Sequence, residues 1–316
     1  MSRYRTHLPQ LGDRLFIADS GMETTLIFHD GIDLPYFASF VLLEDAAGRA
    51  RLRAYFEQHI ALARAAGTGI VLETPTWRAN PDWGAKLGYD AARLAAINRA
   101  AVEQLAELRE QLEIPATPIV ISGNLGPRGD GYLADHAMNT DAAQAYHAPQ
   151  IETFADTAAD LVSVFTMTYV EEASGIARAA EAAGMPVAVS FTLETDGRLP
   201  SGMPLADAID AADAATGAYP AYYMINCAHP THFAHVLEDA GPWRERLCGI
   251  RANASKRSHA ELDEATDLDD GNPDELATEY RALRELLPKL AVVGGCCGTD
   301  HRHVGAMCAG LVAAAA

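Results

Sequence analysis

Three cysteines carry the first chemical signal in the chain. Cys296 and Cys297 are adjacent within the glycine-rich run Gly294 to Thr299 (GGCCGT), and Cys227 follows Asn226 well upstream. A thiolate is both a nucleophile and a soft metal ligand, so such a group can hold a metal, run thiol–disulfide chemistry, or fill small buried volumes. Zinc accepts tetrahedral sulfur ligands at about 2.3 Å, and a catalytic zinc keeps three protein ligands with the fourth position left for substrate. Glycines beside the pair allow a bend sharp enough for neighbouring cysteines to face one ion. The pair is not C-x-x-C, however, and Cys227 joins it only if the fold brings it there. Five cysteines, an odd number gathered late in a long chain, do not read as a disulfide framework. Histidines offer alternative ligands, since Cys227, His229 and His232 are spaced C-x-H-x-x-H and His301 and His303 follow the pair. His229-Pro230 reads instead as a helix start, and three cysteines already complete a catalytic set.

The elements that must position these residues alternate along the whole chain. Short apolar runs with strand character span Arg14 to Ser20, Gly69 to Pro75, Pro118 to Asn124, Asp160 to Met167, Pro186 to Leu193, Ala221 to Cys227, Leu247 to Asn253 and Leu290 to Gly295. Helical periodicity fills the intervals at Glu44 to Ala66, Asp90 to Gln111, Asp141 to Ala159, Glu171 to Ala183, Pro204 to Thr216, Pro230 to Ala240 and Pro273 to Leu287, with a last helix from about His301. Eight βα units without a composition break predict one α/β domain over 1–316, a single (β/α)8 TIM barrel. A doubly wound open sheet is the competitor, but no G-x-G-x-x-G follows the first strand and no P-loop is present. The acidic run Glu261 to Asp270 reads as a solvated loop.

Barrel enzymes build their sites from the loops after the strands, and the unusual residues fall there. Asp19, Ser20, Gly21, Met22 and Glu23 follow the first strand, Glu73, Thr74, Thr76 and Trp77 end the second, and Asn226 and Cys227 end the sixth. Closing the barrel would set the ends of strands six and eight on one rim, where the three thiolates can converge.

Composition limits the partners. A formal net charge of −19 works against binding to nucleic acid or to anionic lipid. The N-terminal residues lack the apolar core of a signal peptide, and no uncharged apolar run reaches membrane-spanning length. These features predict a cytoplasmic enzyme acting on small molecules, with no membrane partner; a homo-oligomer is left open.

With these pieces in place, the sequence resembles the homocysteine S-methyltransferase family, zinc enzymes on a (β/α)8 barrel whose pattern includes an Asn-Cys after strand six and GGCCGT after strand eight. The resemblance covers nearly the whole chain, through Asp19-Ser20-Gly21-Met22-Glu23, Glu73 to Asn80 (ETPTWRAN), Gly126-Pro127 with Gly129, and Asp196-Gly197 with Gly202. It implies Zn2+ on Cys227, Cys296 and Cys297, a small thiol acceptor, and a methyl donor of the S-methylmethionine, S-adenosylmethionine, betaine or methylfolate kind. No further module for cobalamin or folate fits in a chain used by one barrel, which favours a small cationic donor. The departures are Ser20 where the family has a glycine, Pro75 where it has an asparagine, and Phe165 at the strand-four position where the family pattern carries a glutamate, implied to hold the substrate amino group. A different thiol or selenol acceptor is therefore the alternative to homocysteine. A thiol–disulfide redox protein using Cys296 and Cys297, and a non-catalytic metal-binding barrel, are the rival classes.

Around the thiols, Asp19 could orient a cationic donor or a substrate amine, Thr76 and Ser190 could bind a carboxylate through their hydroxyls, and Trp77, Tyr132, Phe165 and Tyr169 offer aromatic faces to a cation. Each also has an ordinary role as a cap, a strand-end hydrogen bond or packing.

Overall fold

A computed structural model describes residues 1–134, 137–239 and 241–312. Eight parallel strands close into a barrel in sequence order: β1 (Phe16–Ile17), β2 (Gly69–Glu73), β3 (Ile119–Leu125), β4 (Leu161–Met167), β5 (Val187–Thr192), β6 (Tyr222–Asn226), β7 (Leu247–Ala252) and β8 (Val292–Gly295). Closure is made by β1, which pairs with β2 through Phe16↔Gly69 and with β8 through Phe16↔Val292. That register removes the open-sheet alternative.

Strand residues are buried on both faces, which is why they read as near-continuous apolar runs. In β4, Leu161 and Phe165 point into the barrel while Val162 and Val164 pack outward against the helices. Phe16, Ala18, Val71, Val120, Ala188, Tyr222, Met224 and Val292 fill the rest of the interior. The lower end is plugged by the N-terminal segment: Leu8 packs on this interior, and Asp160 accepts hydrogen bonds from the backbone N–H groups of Arg3 and Tyr4 at 2.8 Å each. The upper end, at the carboxyl termini of the strands, is left for chemistry.

The outer ring comprises α1 (Ala46–Ala66), α2 (Ala91–Leu112), α3 (Thr140–Ala155), α4 (Val170–Ala182), α5 (Leu205–Thr216), α6 (Pro230–Phe233), α7 (Pro273–Leu286) and α8 (His301–Val312). Side-chain caps fix several starts: Asp45, Asp90 and Asn139 each accept the backbone N–H three residues on.

Three elements differ from the sequence expectation. The first strand, expected over Arg14 to Ser20, forms a two-sided ladder only at Phe16–Ile17. Beyond it the chain stays bonded to β8 alone, through Ala18 N to Val293 O and Gly295 N to Asp19 O, and then bends toward Thr299. The third helix stops at Ala155 rather than Ala159, where Thr157 Oγ1 takes the carbonyl of Phe154. The sixth, expected over Pro230 to Ala240, is one turn of α-helix followed by 3-10 turns at Ala234–Glu238 and Pro242–Arg246; Ala240 lies outside the described residues. Gly241-Pro242 cannot continue a helix, and Arg244 Nη1 takes the carbonyl of Leu237 instead.

Candidate metal-thiolate site

The two cysteine-bearing strand ends meet at the upper rim. Cys227 leaves β6 at φ +53°, with its N–H on Arg251 O, and Cys296 leaves β8 with its N–H on Ala252 O. Both thus hang on β7, the strand between them. The turn after β8 is pinned by Thr299, whose Oγ1 donates to Cys296 O at 2.7 Å and accepts from Gly21 N at 3.0 Å. Gly298 sits at φ +80°, a region that favours glycine, with its N–H on Thr24 Oγ1. This is the bend that turns Cys296 and Cys297 toward one point.

The sulfur atoms of Cys227, Cys296 and Cys297 all lie within 4.8 Å of one another, the one such cluster of potential metal ligands among the described residues. The Cys227 and Cys296 sulfurs are in direct contact, with Cα atoms 5.4 Å apart, and Cys297 Sγ stands 3.8 Å from Cys227 Sγ. As a donor set the cluster fits a soft metal once its thiols are reduced, since thiolates are the ligating form. Three of the four candidate histidines are engaged elsewhere: His229 Nε2 faces Glu279 at 3.3 Å, His232 Nε2 faces Lys256 O, and His303 lies between Asp300 and the carbonyl of Asp270.

Tyr132, from the loop after β3, reaches over this cluster. Its hydroxyl is 3.5 Å from Cys297 Sγ and 3.8 Å from Cys227 Sγ, and its ring lies 4.4 Å from that of His259. His259 Nε2 in turn meets the carbonyl of Cys227 at 2.5 Å. Burial pushes the Cys297 thiol up, so the metal-free pocket favours its protonated form.

Below the thiols lies a buried charge cluster. Arg251 projects from β7 into the barrel, ion-paired with Asp19, with Nε on Gly295 O at 3.1 Å and Nη2 also on Ser20 O. Its guanidinium lies 5.0 Å from the centre of the Phe165 ring. Glu73, at the end of β2, is 3% exposed and its Oε2 has no hydrogen-bond partner. Burial pushes that carboxyl up to about 7, against the pull of Arg251 and the hydroxyl of Ser122. Burial also raises the carboxyl of Glu23, opposed by the hydrogen bond from Ser39 Oγ at 2.8 Å.

The other sequence-singled residues separate into two groups. Asp19, Gly21, Glu23, Trp77, Phe165 and Asn226 gather at the rim or on the interior beneath it. Asn226 Oδ1 accepts from Thr166 N and from Ser190 Oγ, and its Nδ2 donates to Thr166 Oγ1. These bonds hold Thr166 at φ +64°, unusual for a β-branched residue, where β4 also shifts register. Thr76, fully buried, gives its hydroxyl to Asn124 O, and Ser190 gives its own to Asn226, so both hydroxyls are used internally. Ser20 Oγ turns outward to Tyr55 and His59, and Met22 packs in the outer core.

The sequence reading did not single out Arg251, Arg78 or His259, and did not place Glu73 in the binding set. Arg251 had a legible signal, a lone charge within the buried run Leu247–Ala252. His259 had none, since it lies in the segment after β7. The acidic run is also less detached than a solvated loop: Asp269 accepts from Ser255 Oγ and Asp270 from Arg302.

Three thiols thus converge at the carboxyl rim of a closed parallel barrel, an arrangement with the chemistry to hold a metal ion. The chain is a member of the homocysteine S-methyltransferase family, whose pattern matches residues 16–311. It is 32% identical over 146 residues to the homocysteine S-methyltransferase of Escherichia coli strain K12, a stretch covering 43% of this chain and 47% of that protein, about half the relative's length. Crystal structures of the Escherichia coli homocysteine methyltransferase MmuM share the fold. The oxidised form superimposes with a TM-score of 0.73 at 23% identity, covering 96% of this chain and 98% of that one. The metallated form gives 0.68 at 22% identity, covering 94% and 96%. No helix among the described residues is long and apolar enough to cross a membrane.

Proposed function

We propose that this chain, acting as one barrel domain, transfers a methyl group from a small cationic donor of the S-methylmethionine, S-adenosylmethionine or betaine type to the thiol of homocysteine, giving methionine. The observation that carries the reading is the convergence of Cys227, Cys296 and Cys297 at the carboxyl rim of a barrel of this family. Zinc, which these reduced cysteines would hold, supplies an acidic centre that deprotonates a coordinated thiol, where a free thiol of pKa about 8.5 is only about 3% ionised at pH 7.

The chain's own residues must do the rest by placing donor and acceptor in line, which is worth up to about 7–11 kcal/mol in favourable cases. Tyr132 is held over the thiols, where its hydroxyl can donate to sulfur. The aromatic faces named for cation binding are partly taken: Arg78 lies over Trp77 and Arg251 beside Phe165. Attraction of a cationic donor then falls to carboxylates. Asp19 is already paired with Arg251, which leaves Glu23 and Glu73 as the carboxylates with capacity to spare.

Phe165 favours a second reading, the same chemistry on another small thiol or selenol, because the strand-four position holds a ring rather than a carboxylate. Metal analysis of the reduced wild type beside Cys296→Ser, followed by a panel of acceptors and donors, tests both. About one zinc per chain, lost in the variant, with homocysteine the best acceptor, supports the main reading. Zinc with a different preferred thiol supports the second, and absence of zinc from the reduced protein removes the mechanism.

A further inference from the structure

Three arginines in the described residues are more than nine-tenths buried: Arg78, Arg109 and Arg251. Arg109 is paired with Asp160 at 2.6 Å toward the lower end of the barrel, and Arg251 is paired with Asp19. Arg78 has no carboxylate partner among the described residues. Its guanidinium is clamped between two indoles, 3.9 Å from the ring centre of Trp77 and 3.9 Å from that of Trp83. Nη1 donates to Gly129 O at 3.1 Å, and Nε is buried with no acceptor. The indole N–H of Trp77, the adjacent residue in the same stack, is likewise buried with no acceptor.

Asp130 and Glu23 act on Arg78 only at a distance, and a buried guanidinium without a contacting anion is costly, a cost that flanking π faces recover only in part. A guanidinium Nε and an indole N–H can each donate to a carboxylate oxygen, the anion that Arg recognises in bidentate fashion, and here both lack an acceptor. The stack also stands next to the thiols. Trp77 lies so close to Gly126 and Gly131 that a Cβ at either would come within 2.6 and 3.0 Å of its ring, and the residue after Gly131 is Tyr132, which reaches Cys297.

We propose that Arg78 and the Trp77 indole N–H form a carboxylate-binding subsite for an amino-acid substrate. The proposal rests on the methyl-transfer reading above and deepens it, by making a free carboxylate a required feature of acceptor or donor. It also relieves Thr76 and Ser190 of that role, since their hydroxyls are already engaged. Arg78 and Trp83 Nε1 both donate to Gly129 O, so a purely loop-supporting role is the competing account, and the test must separate the two.

The test uses zinc-loaded wild type, Arg78→Gln and Arg78→Lys. Binding is measured by calorimetry with methionine, which is the product from either an acceptor or an S-methylmethionine donor, and with 3-(methylthio)propylamine, the same molecule without its carboxylate. Wild type should bind methionine about 10- to 100-fold more tightly, the size of a charge-assisted contact, and Arg78→Gln should erase that preference while binding the amine as wild type does. Arg78→Lys, keeping the charge without the fork, should retain part of it. Equal weakening of both ligands in Arg78→Gln, or no preference in wild type, overturns the proposal. Turnover with homocysteine against 3-aminopropane-1-thiol, and with S-methylmethionine against (3-aminopropyl)dimethylsulfonium, then assigns the carboxylate to acceptor or donor by which pair loses its discrimination in Arg78→Gln. An Arg78-dependent carboxylate preference in binding, without methyl transfer to any thiol, would uphold the subsite and remove the methyl-transfer reading.

Discussion

Replacing Glu73 by glutamine should change how stability depends on pH in a calculable way. The carboxyl ionises at about 7 in the fold against an ordinary value of 4.5, chiefly because it is buried. Between those values the unfolded chain releases a proton that the folded chain keeps. The stabilising effect of holding that proton is complete below about pH 4.5, is lost as pH rises through the folded value, and leaves a constant penalty above it. At 1.36 kcal/mol per unit, the full penalty is about 3 kcal/mol, of which about 2–3 kcal/mol develops between pH 5 and pH 8. Glutamine is close in shape and does not titrate, so Glu73→Gln should lack this term. Urea unfolding of both proteins at pH 5, 6, 7 and 8, with free energies extrapolated to water, isolates it, because other titrating groups cancel in the difference. The variant should gain on wild type by about 2–3 kcal/mol across that range. A difference that stays flat within about 0.5 kcal/mol would show that Glu73 ionises normally and that the charge cluster under the thiols is misassigned.

Other consequences follow from the same geometry. Asn226→Ala should lose about 1–3 kcal/mol by stranding Thr166 N–H and the Ser190 hydroxyl, read as a lower Tm, with zinc retained if Cys227 keeps its place. Gly21→Ala drives a Cβ to 2.5 Å from the Cys296 carbonyl, so metal content measured after refolding should fall well below one per chain. Asp160→Asn strands the buried Arg109 far from the rim and should cost about 3–5 kcal/mol in urea unfolding while leaving kcat within a few-fold. Tyr132→Phe removes the hydroxyl facing Cys297 and should alter zinc retention against a chelator, with Tm nearly unchanged.

Much of the candidate site was legible as local pattern. The Asn226-Cys227 and GGCCGT pieces announced three thiols at strand ends, and the alternation of strand and helix announced the barrel. The misses share one cause. The sixth helix gives way to a 3-10 turn after Phe233, a stop that periodicity across Pro230 to Ala240 did not show. Arg251 reads as a strand residue, and Glu73 as a strand-end residue without a role, because their partners come from other strands. Arg78 lay within the quoted ETPTWRAN stretch, yet nothing local shows that two indoles flank it and no carboxylate pairs with it directly.

The sequence by itself determined the repeating βα units, the apolar faces and the identity of the thiols, since these depend on side-chain period and type over a few residues. Tertiary structure alone decided which residues meet: Arg251 with Asp19, 232 positions apart, Cys227 with Cys297, 70 apart, and Tyr132 over both sulfurs. Those contacts exist only because the β1–β8 pairing closes the barrel and draws all eight strand ends to one rim, and closure is a property of the whole sheet that no short window contains.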